Sequence, residues 1–265
     1  MEEMKHLALV TGASMGIGYE IAKQLAEKNI DLILVSRDEA KLQHIAEVFE
    51  EKFGVQVTVI AKDLMNSGAA EEVYQEVNRL NLEVDILVNN AGQGINGEFV
   101  HNDLQQELDI ITLNVISLVV LTKLFLKDMH ARNQGRILQV SSVVDQMYSP
   151  LMAVYAGTKS FVYNFTQSLI NELKDTEVTV TALLPGATDT DFFNKAGGED
   201  SKIAQDKDGL DDPAKVAKSG IEALFAGKSR EVTGLKNKTM SQLSNVTPDQ
   251  VLASKMHEYN DKADK

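Results

Sequence analysis

Cysteine is absent from the 265 residues of this chain. That removes disulfides, thiolate metal sites and cysteine nucleophiles, and with them any need for an oxidising compartment. Basic residues are in deficit, since 26 lysines and arginines face 39 aspartates and glutamates for a net charge of -13. A field of that sign repels nucleic acid and anionic membrane, so neither is an expected partner, and only a local basic pocket could offset it. The start, "MEEMKHLALVTG", lacks the basic end and long apolar core of a signal peptide. No window is expected to approach the roughly 20 apolar residues of a membrane span, and the cytoplasm is the expected location. The sequons at Asn164, Asn237 and Asn245 match a pattern short enough to arise by chance, and they have no meaning without secretion.

What is present is ordinary for a protein that buries a sizeable core: 43% hydrophobic and 25% charged residues. No linker divides the chain, so residues 1–265 are read as a single domain. Six short apolar runs recur: "HLALVTG", "DLILVSR", "VQVTVIAKD", "VDILVNNAG", "GRILQVSS" and "VTVTALLPG". Their apolarity is continuous rather than alternating, as in strands covered on both faces. Segments of helical period separate them, near 17–28, 39–53, 68–80, 103–131, 153–174 and 214–226. This alternation predicts an α/β fold, a doubly wound parallel sheet in three α/β/α layers. Thr247, Pro248 and Gln250 suggest one more helix, with a capping box and proline at the first helical position. The glycine-rich, charged stretch 194–212 has no apolar period and reads as a mobile loop or lid.

In such a sheet, ligands bind beyond the carboxyl ends of the strands. After the first run comes "TGASMGIG", with Gly12, Gly16 and Gly18 opening a helix. Glycine allows a tight turn and close backbone approach, and a helix amino terminus presents free N–H groups to a phosphate. A dinucleotide pyrophosphate is the natural guest. "GASMG" also matches a nucleophile elbow at Ser14, but none of His6, His44, His101 and His130 has a telling context, and only His257 leaves that reading open. "GQGING" at 92–97 matches a second dinucleotide pattern, yet no helix follows at once and no acid stands about 20 residues on. It is read as a loop beside the cofactor. After the second run, Ser36 and Arg37 occupy the place where an acid would bind ribose hydroxyls and an arginine suits a 2′-phosphate. NADP is therefore expected over NAD, against the competing pairing of Arg37 with a surface acid such as Asp38. Asp63, after the third run, would sit by the adenine or cap the next helix.

"YAGTK" sets Tyr155 and Lys159 four residues apart on one helix face. A phenol titrates near pH ~10, and a neighbouring cation favours its anion, so the pair can exchange protons nearer neutrality. Alone, the spacing equally describes a solvated lysine beside a half-buried tyrosine. The assembled pieces resemble the short-chain dehydrogenase/reductase family: T-G-x-x-x-G-x-G at Thr11 to Gly18, N-N-A-G at Asn89 to Gly92, Asn114, Ser142, Tyr155 with Lys159, and P-G at Pro185 and Gly186. The resemblance covers about residues 5–235. It implies an NADP(H)-dependent oxidoreductase acting on a secondary alcohol, ketone or aldehyde. Tyr155 would be the acid/base, Lys159 would lower its pKa and hold the nicotinamide ribose, Ser142 would position the carbonyl, and Asn114 would support a proton relay.

The family's spacing of 13 to the tyrosine selects Ser142 over Ser141. Ser14, Ile17, Leu64, Asn90, Pro185, Thr188 and Thr190 would be further cofactor contacts, while Asn89 supports the sheet. Extended members typically use a different glycine pattern, and the enoyl-reductase-like branch spaces its tyrosine and lysine more widely. One departure is Met15, where NADP enzymes of the family often place a basic residue. The loop 187–212 would cover a substrate, with 236–265 as a carboxyl-terminal extension. Met147, Tyr148, Leu151, Met152, Phe192 and Phe193 are candidate substrate walls. A homo-oligomer, tetramer or dimer, is implied through the long helices. The alternative is a catalytically silent dinucleotide-binding regulator or scaffold of the same fold.

Overall fold

Seven parallel strands form the centre of the computed structural model, which describes residues 6–234, 237–239 and 247–263. They are β1 (Leu7–Thr11), β2 (Asp31–Ser36), β3 (Val57–Ala61), β4 (Ile86–Asn89), β5 (Gly135–Val140), β6 (Val178–Leu184) and β7 (Arg230–Val232), in the order β3-β2-β1-β4-β5-β6-β7. The first six are the expected apolar runs. The seventh was not anticipated: "REV" is too short to show a pattern, and pairing of Ala182 with Arg230 along β6 defines it. Burial on both faces explains the continuous apolarity, because successive residues of one strand enter opposite layers. In β1, Ala8 and Val10 join the cluster of Leu25, Leu34 and Ile221, while Leu9 joins that of Val73, Leu121 and Phe125.

The main helices are α1 (Gly16–Ala26), α2 (Glu39–Phe53), α3 (Ala69–Arg79), α4 (Leu104–Ile111), α5 (Ser117–Ala131) and α6 (Ala153–Glu172). After them come the short α7 (Phe192–Lys195) and α8 (Lys202–Gln205), then α9 (Pro213–Phe225) and α10 (Asp249–Asn260). Aspartates start several of them: Asp38 accepts from Lys41 N, Asp103 from Gln106 N and Asp212 from Ala214 N. Asp38 is thus used as a cap. The last helix starts one residue later than expected, with Pro248 at the N-cap and Asp249 first in the helix. Asn245 lies outside the described residues.

Three expectations need correction. The helix foreseen over 103–131 is interrupted by a π-turn at Thr112–Ile116. With the π-turn included, the helical run Leu104–Ala131 also has the length and apolarity of a membrane span, with a mean hydropathy of 1.9 over an 18-residue window. Its apolarity has a structural use, since Leu118, Leu121, Phe125 and Met129 are buried and α5 packs on α3, β4 and β5. Finally, the stretch 194–212 contains α8, a 3-10 turn at Lys207–Gly209 and the end of α7. It is tied back by Asp189 N donating to Asp211 O and Asp211 N to Ala187 O, at 2.9 and 2.8 Å.

Candidate active site

The strand order reverses between β1 and β4, and ligands of open α/β sheets bind at such a switch point. A cleft of about 710 Å³ opens there, lined by residues that follow β1, β2, β3, β4, β5 and β6. Gly12, Ser14, Gly16, Ile17, Arg37, Asp63, Leu64, Asn90, Ser142, Tyr155, Lys159, Pro185, Thr188 and Thr190 all line it. Gly18 and Asn114 are set behind its wall.

The glycine loop works by close approach. Gly12 has φ +67, and a Cβ there would lie 2.8 Å from Asn90 Nδ2. A Cβ on Gly18 would collide with that same amide and with the Gly12 carbonyl. Asn90 Nδ2 in turn donates to the Thr11 and Gly12 carbonyls at 3.0 and 3.3 Å, so this side chain holds the loop to the end of β1. Met15, the N-cap of α1, provides no side-chain cap, which leaves first-turn N–H groups for a ligand. These features fit a dinucleotide. Ser14 Oγ is 2.9 Å from Ser36 Oγ, an arrangement that binds the loop to the β2 terminus and provides no general base.

At the β2 terminus Arg37 is half exposed and lies 3.7 Å from Asp63, not against Asp38. Asp63 accepts from Met65 N at 3.0 Å, and α3 begins farther on with Gly68 as its N-cap. Lys62 lines the same end of the cleft.

The candidate Ser142, Tyr155 and Lys159 cluster lies where β5 and α6 meet. Ser141 Oγ donates to Lys159 O at 2.9 Å, a purely internal bond. Ser142 faces the cleft with its Oγ beside the Tyr155 hydroxyl and donates to Pro185 O at 3.5 Å. Buried Lys159 donates its Nζ proton to Val140 O at 2.8 Å and lies 5.8 Å from the Tyr155 ring centroid. Burial pulls the lysine down to about 8. The phenol moves opposite to expectation: although the ring is partly accessible, desolvation of its hydroxyl pushes it up to about 12, against which the Ser142 hydroxyl works. At this separation the cation does not offset the burial.

The π-turn positions Asn114. Its Oδ1 accepts from Gln93 N at 3.0 Å, and its Nδ2 donates to Gln93 O at 2.9 Å and Thr158 Oγ1 at 3.0 Å. Such turns are frequent at functional sites. A Cβ on Gly92 would be 3.3 Å from both Asn114 Oδ1 and Lys159 Nζ, so these groups converge over that glycine. Asn89 Nδ2 donates to Thr122 Oγ1 at 3.0 Å, inside the sheet layer.

Of the six suggested wall residues, Met152, Phe192 and Phe193 line the cleft. Phe192 packs on Tyr155 with ring centroids 5.2 Å apart. The other three lie elsewhere. Met147 is buried with Leu184, Val232, Leu252 and Met256, Tyr148 is exposed and bonds Asp249, and Leu151 sits in a turn at φ +66. Gly94 of "GQGING" is explained by the wall, since its Cβ would meet Met152 Cε at 2.9 Å and Phe192 Cζ at 3.0 Å.

Sequence reasoning missed the helix α10 as a wall. Met256, Tyr259 and Asn260 line the cleft, and Asn260 Nδ2 donates to Ser149 Oγ and Pro150 O at 2.9 and 2.8 Å. Capping residues foretold the helix, but nothing local foretold where it docks.

Residues 6–200 match the family model described as short chain dehydrogenase. The very-long-chain 3-oxoacyl-CoA reductase of Rattus norvegicus is 34% identical over 186 residues, which covers 67% of this chain and 58% of that protein. The chain thus spans less than two thirds of that relative's length. Among solved structures, a short-chain dehydrogenase from Sphingobium yanoikuyae in complex with NADPH superposes with a TM-score of 0.82 at 28% identity, covering 94% of this chain and 95% of its own. A bulky-bulky ketone specific alcohol dehydrogenase from Comamonas testosteroni gives a TM-score of 0.79 at 26% identity, covering 94% of each chain.

Proposed function

Because this chain belongs to the short-chain dehydrogenase family, we propose that it is an NADP(H)-dependent oxidoreductase interconverting a bulky ketone and its secondary alcohol, with Tyr155 as the acid/base. The observation that carries this reading is the convergence of Ser142, Tyr155 and Lys159 on one cleft beside the glycine loop. The nicotinamide, when bound, supplies hydride chemistry, and the chain supplies orientation and the proton.

With its pKa pushed up to about 12, the Tyr155 phenol carries its proton throughout the neutral range. It is therefore ready to protonate a carbonyl oxygen in the reductive direction. The Ser142 hydroxyl stands beside the phenol, and its one proton can turn to the same oxygen. Lys159, charged below about pH 8, adds positive potential beneath the reacting oxygen. Asn114 holds the Gln93 loop and α6 in register, and its convergence with Lys159 over Gly92 supports a proton relay between them.

Arg37 supports NADP over NAD, because a guanidinium beyond β2 matches a 2′-phosphate in bidentate fashion. Met152, Phe192 and Phe193 support a bulky apolar substrate. Exposed Leu104, Leu108 and Ile116, with Phe161 on α6, support a homo-oligomer, which a monomeric mass by light scattering would refute.

Tyr155→Phe should remove ketone reduction by a factor of about 10³ or more while leaving NADPH binding intact. Retained turnover would sink the mechanism. Wild-type binding without turnover on any ketone would favour the silent dinucleotide-binding protein. An equal kcat/KM with NADH would remove the role given to Arg37.

A further inference from the structure

Lys195 stands at the end of α7, in the flap that follows β6, yet its Nζ lies 2.9 Å from Met15 Sδ at the start of α1. A thioether is a poor partner for an ammonium. Its nearest carboxylate, Asp191, is 3.8 Å away with both groups partly solvated, a pairing that holds little. The flap is also seated on the glycine loop beside it, since a Cβ on Gly16 would lie 3.0 Å from Thr190 Cγ2. Lys195 and Met15 both line the cleft.

Position 15 carries a methionine at the uncapped amino terminus of α1. A cation is nonetheless present there, delivered in space by a residue 180 positions away. We propose that Lys195 is a phosphate-binding residue carried by the flap, and that its ammonium takes the pyrophosphate of the bound dinucleotide. The inference rests on the dinucleotide reading of the cleft and assigns a different phosphate from the one given to Arg37. Arg37 lies at the β2 rim beside Asp63, whereas the Lys195 ammonium lies against Met15 and Asp191. The contact would couple cofactor binding to the seating of the flap, whose Phe192 rests on Tyr155. In a chain of net charge -13, a cation at this mouth also opposes the repulsion of an incoming dianion.

Binding of ADP, which has the pyrophosphate alone, and of adenosine 2′-monophosphate, which has the 2′-phosphate alone, separates the two assignments. Both are measured by competition against NADPH fluorescence. Lys195→Gln should weaken ADP, NADPH and NADH alike by about tenfold, the loss of one charge-assisted contact, and leave adenosine 2′-monophosphate unchanged. Arg37→Ala should instead weaken adenosine 2′-monophosphate and NADPH and leave ADP and NADH unchanged, and Lys195→Arg should restore ADP binding. Unchanged ADP affinity in Lys195→Gln overturns the proposal, as does a loss confined to NADPH and adenosine 2′-monophosphate. Failure of the wild-type protein to bind NADPH or NADH would instead refute the dinucleotide reading itself.

Discussion

The two walls of the cleft are built in different ways. The amino-terminal wall, from β1 to β4, is backbone closely packed and locally held: glycines at positions that admit no Cβ, and one asparagine side-chain amide bonded to main-chain carbonyls. The carboxyl-terminal wall, formed by the flap and α10, is made of side chains tied across long sequence separations, such as Asn260 to Ser149 and Asn96 to Asn260. A wall of the first kind admits few alternatives in shape and suits a part common to many ligands. A wall of the second kind can change one side chain at a time, which suits the part that differs.

The sharpest break of that comparison is at Gly18. An added methyl would press on the Gly12 carbonyl and the Asn90 amide together; the first is backbone, and the second is held by its hydrogen bonds to the Thr11 and Gly12 carbonyls. Gly18→Ala should cost ~2–3 kcal/mol of stability, as overpacking of a rigid site does, and abolish measurable dinucleotide binding. Urea unfolding with an NADPH titration checks both. A variant as stable as wild type that still binds would show that the loop adapts and that the contrast is false.

The same contrast explains what could be read from sequence. Local rules governed the first wall, since strand, glycine turn and helix occupy one continuous stretch from Leu7 to Ala26, so its residues were legible without a structure. Tyr155 and Lys159 were legible because four residues on a helix fix a face. The pKa direction of Tyr155 was not, because burial depends on Phe192 and the rest of the fold rather than on the lysine alone. The π-turn at Asn114, the three-residue β7 and the docking of α10 follow from tertiary contacts, and their stretches carry no periodic signal of their own. Lys195 was hidden in a charged segment without pattern, and the tertiary seating of its flap, with Thr190 on Gly16, brings it to Met15.

Lys159 lies between the two walls and bears a cost that pH can reveal. Its folded pKa of about 8 is below its ordinary 10.5, so between these values the unfolded chain binds more protons than the native one. Stability must then rise with pH across this window, by up to about 3 kcal/mol at 1.36 kcal/mol per unit. Tyr155, raised from 10.0 to about 12, works the other way above pH 10, so the rise is cleanest from pH 8 to 10. Lys159→Met should flatten it. Parallel denaturation curves for wild type and variant over that range would mean that the lysine is not the buried base inferred from the fold.

The smallest effect is expected at Asn260, where the contrast is most exposed to test. Its buried amide donates two hydrogen bonds to the Ser149–Pro150 turn, and its carbonyl accepts from Asn96. Asn260→Ala removes the first two and keeps the third, at a cost of ~1–2 kcal/mol. Loosening α10 frees Tyr259 and Met256 at the cleft, but no bond of the glycine loop is touched. The Michaelis constant for a bulky ketone should rise several-fold while NADPH affinity stays at its wild-type value. Parallel loss of both would mean that the walls move as one body, and that α10 supports the cofactor as much as the substrate.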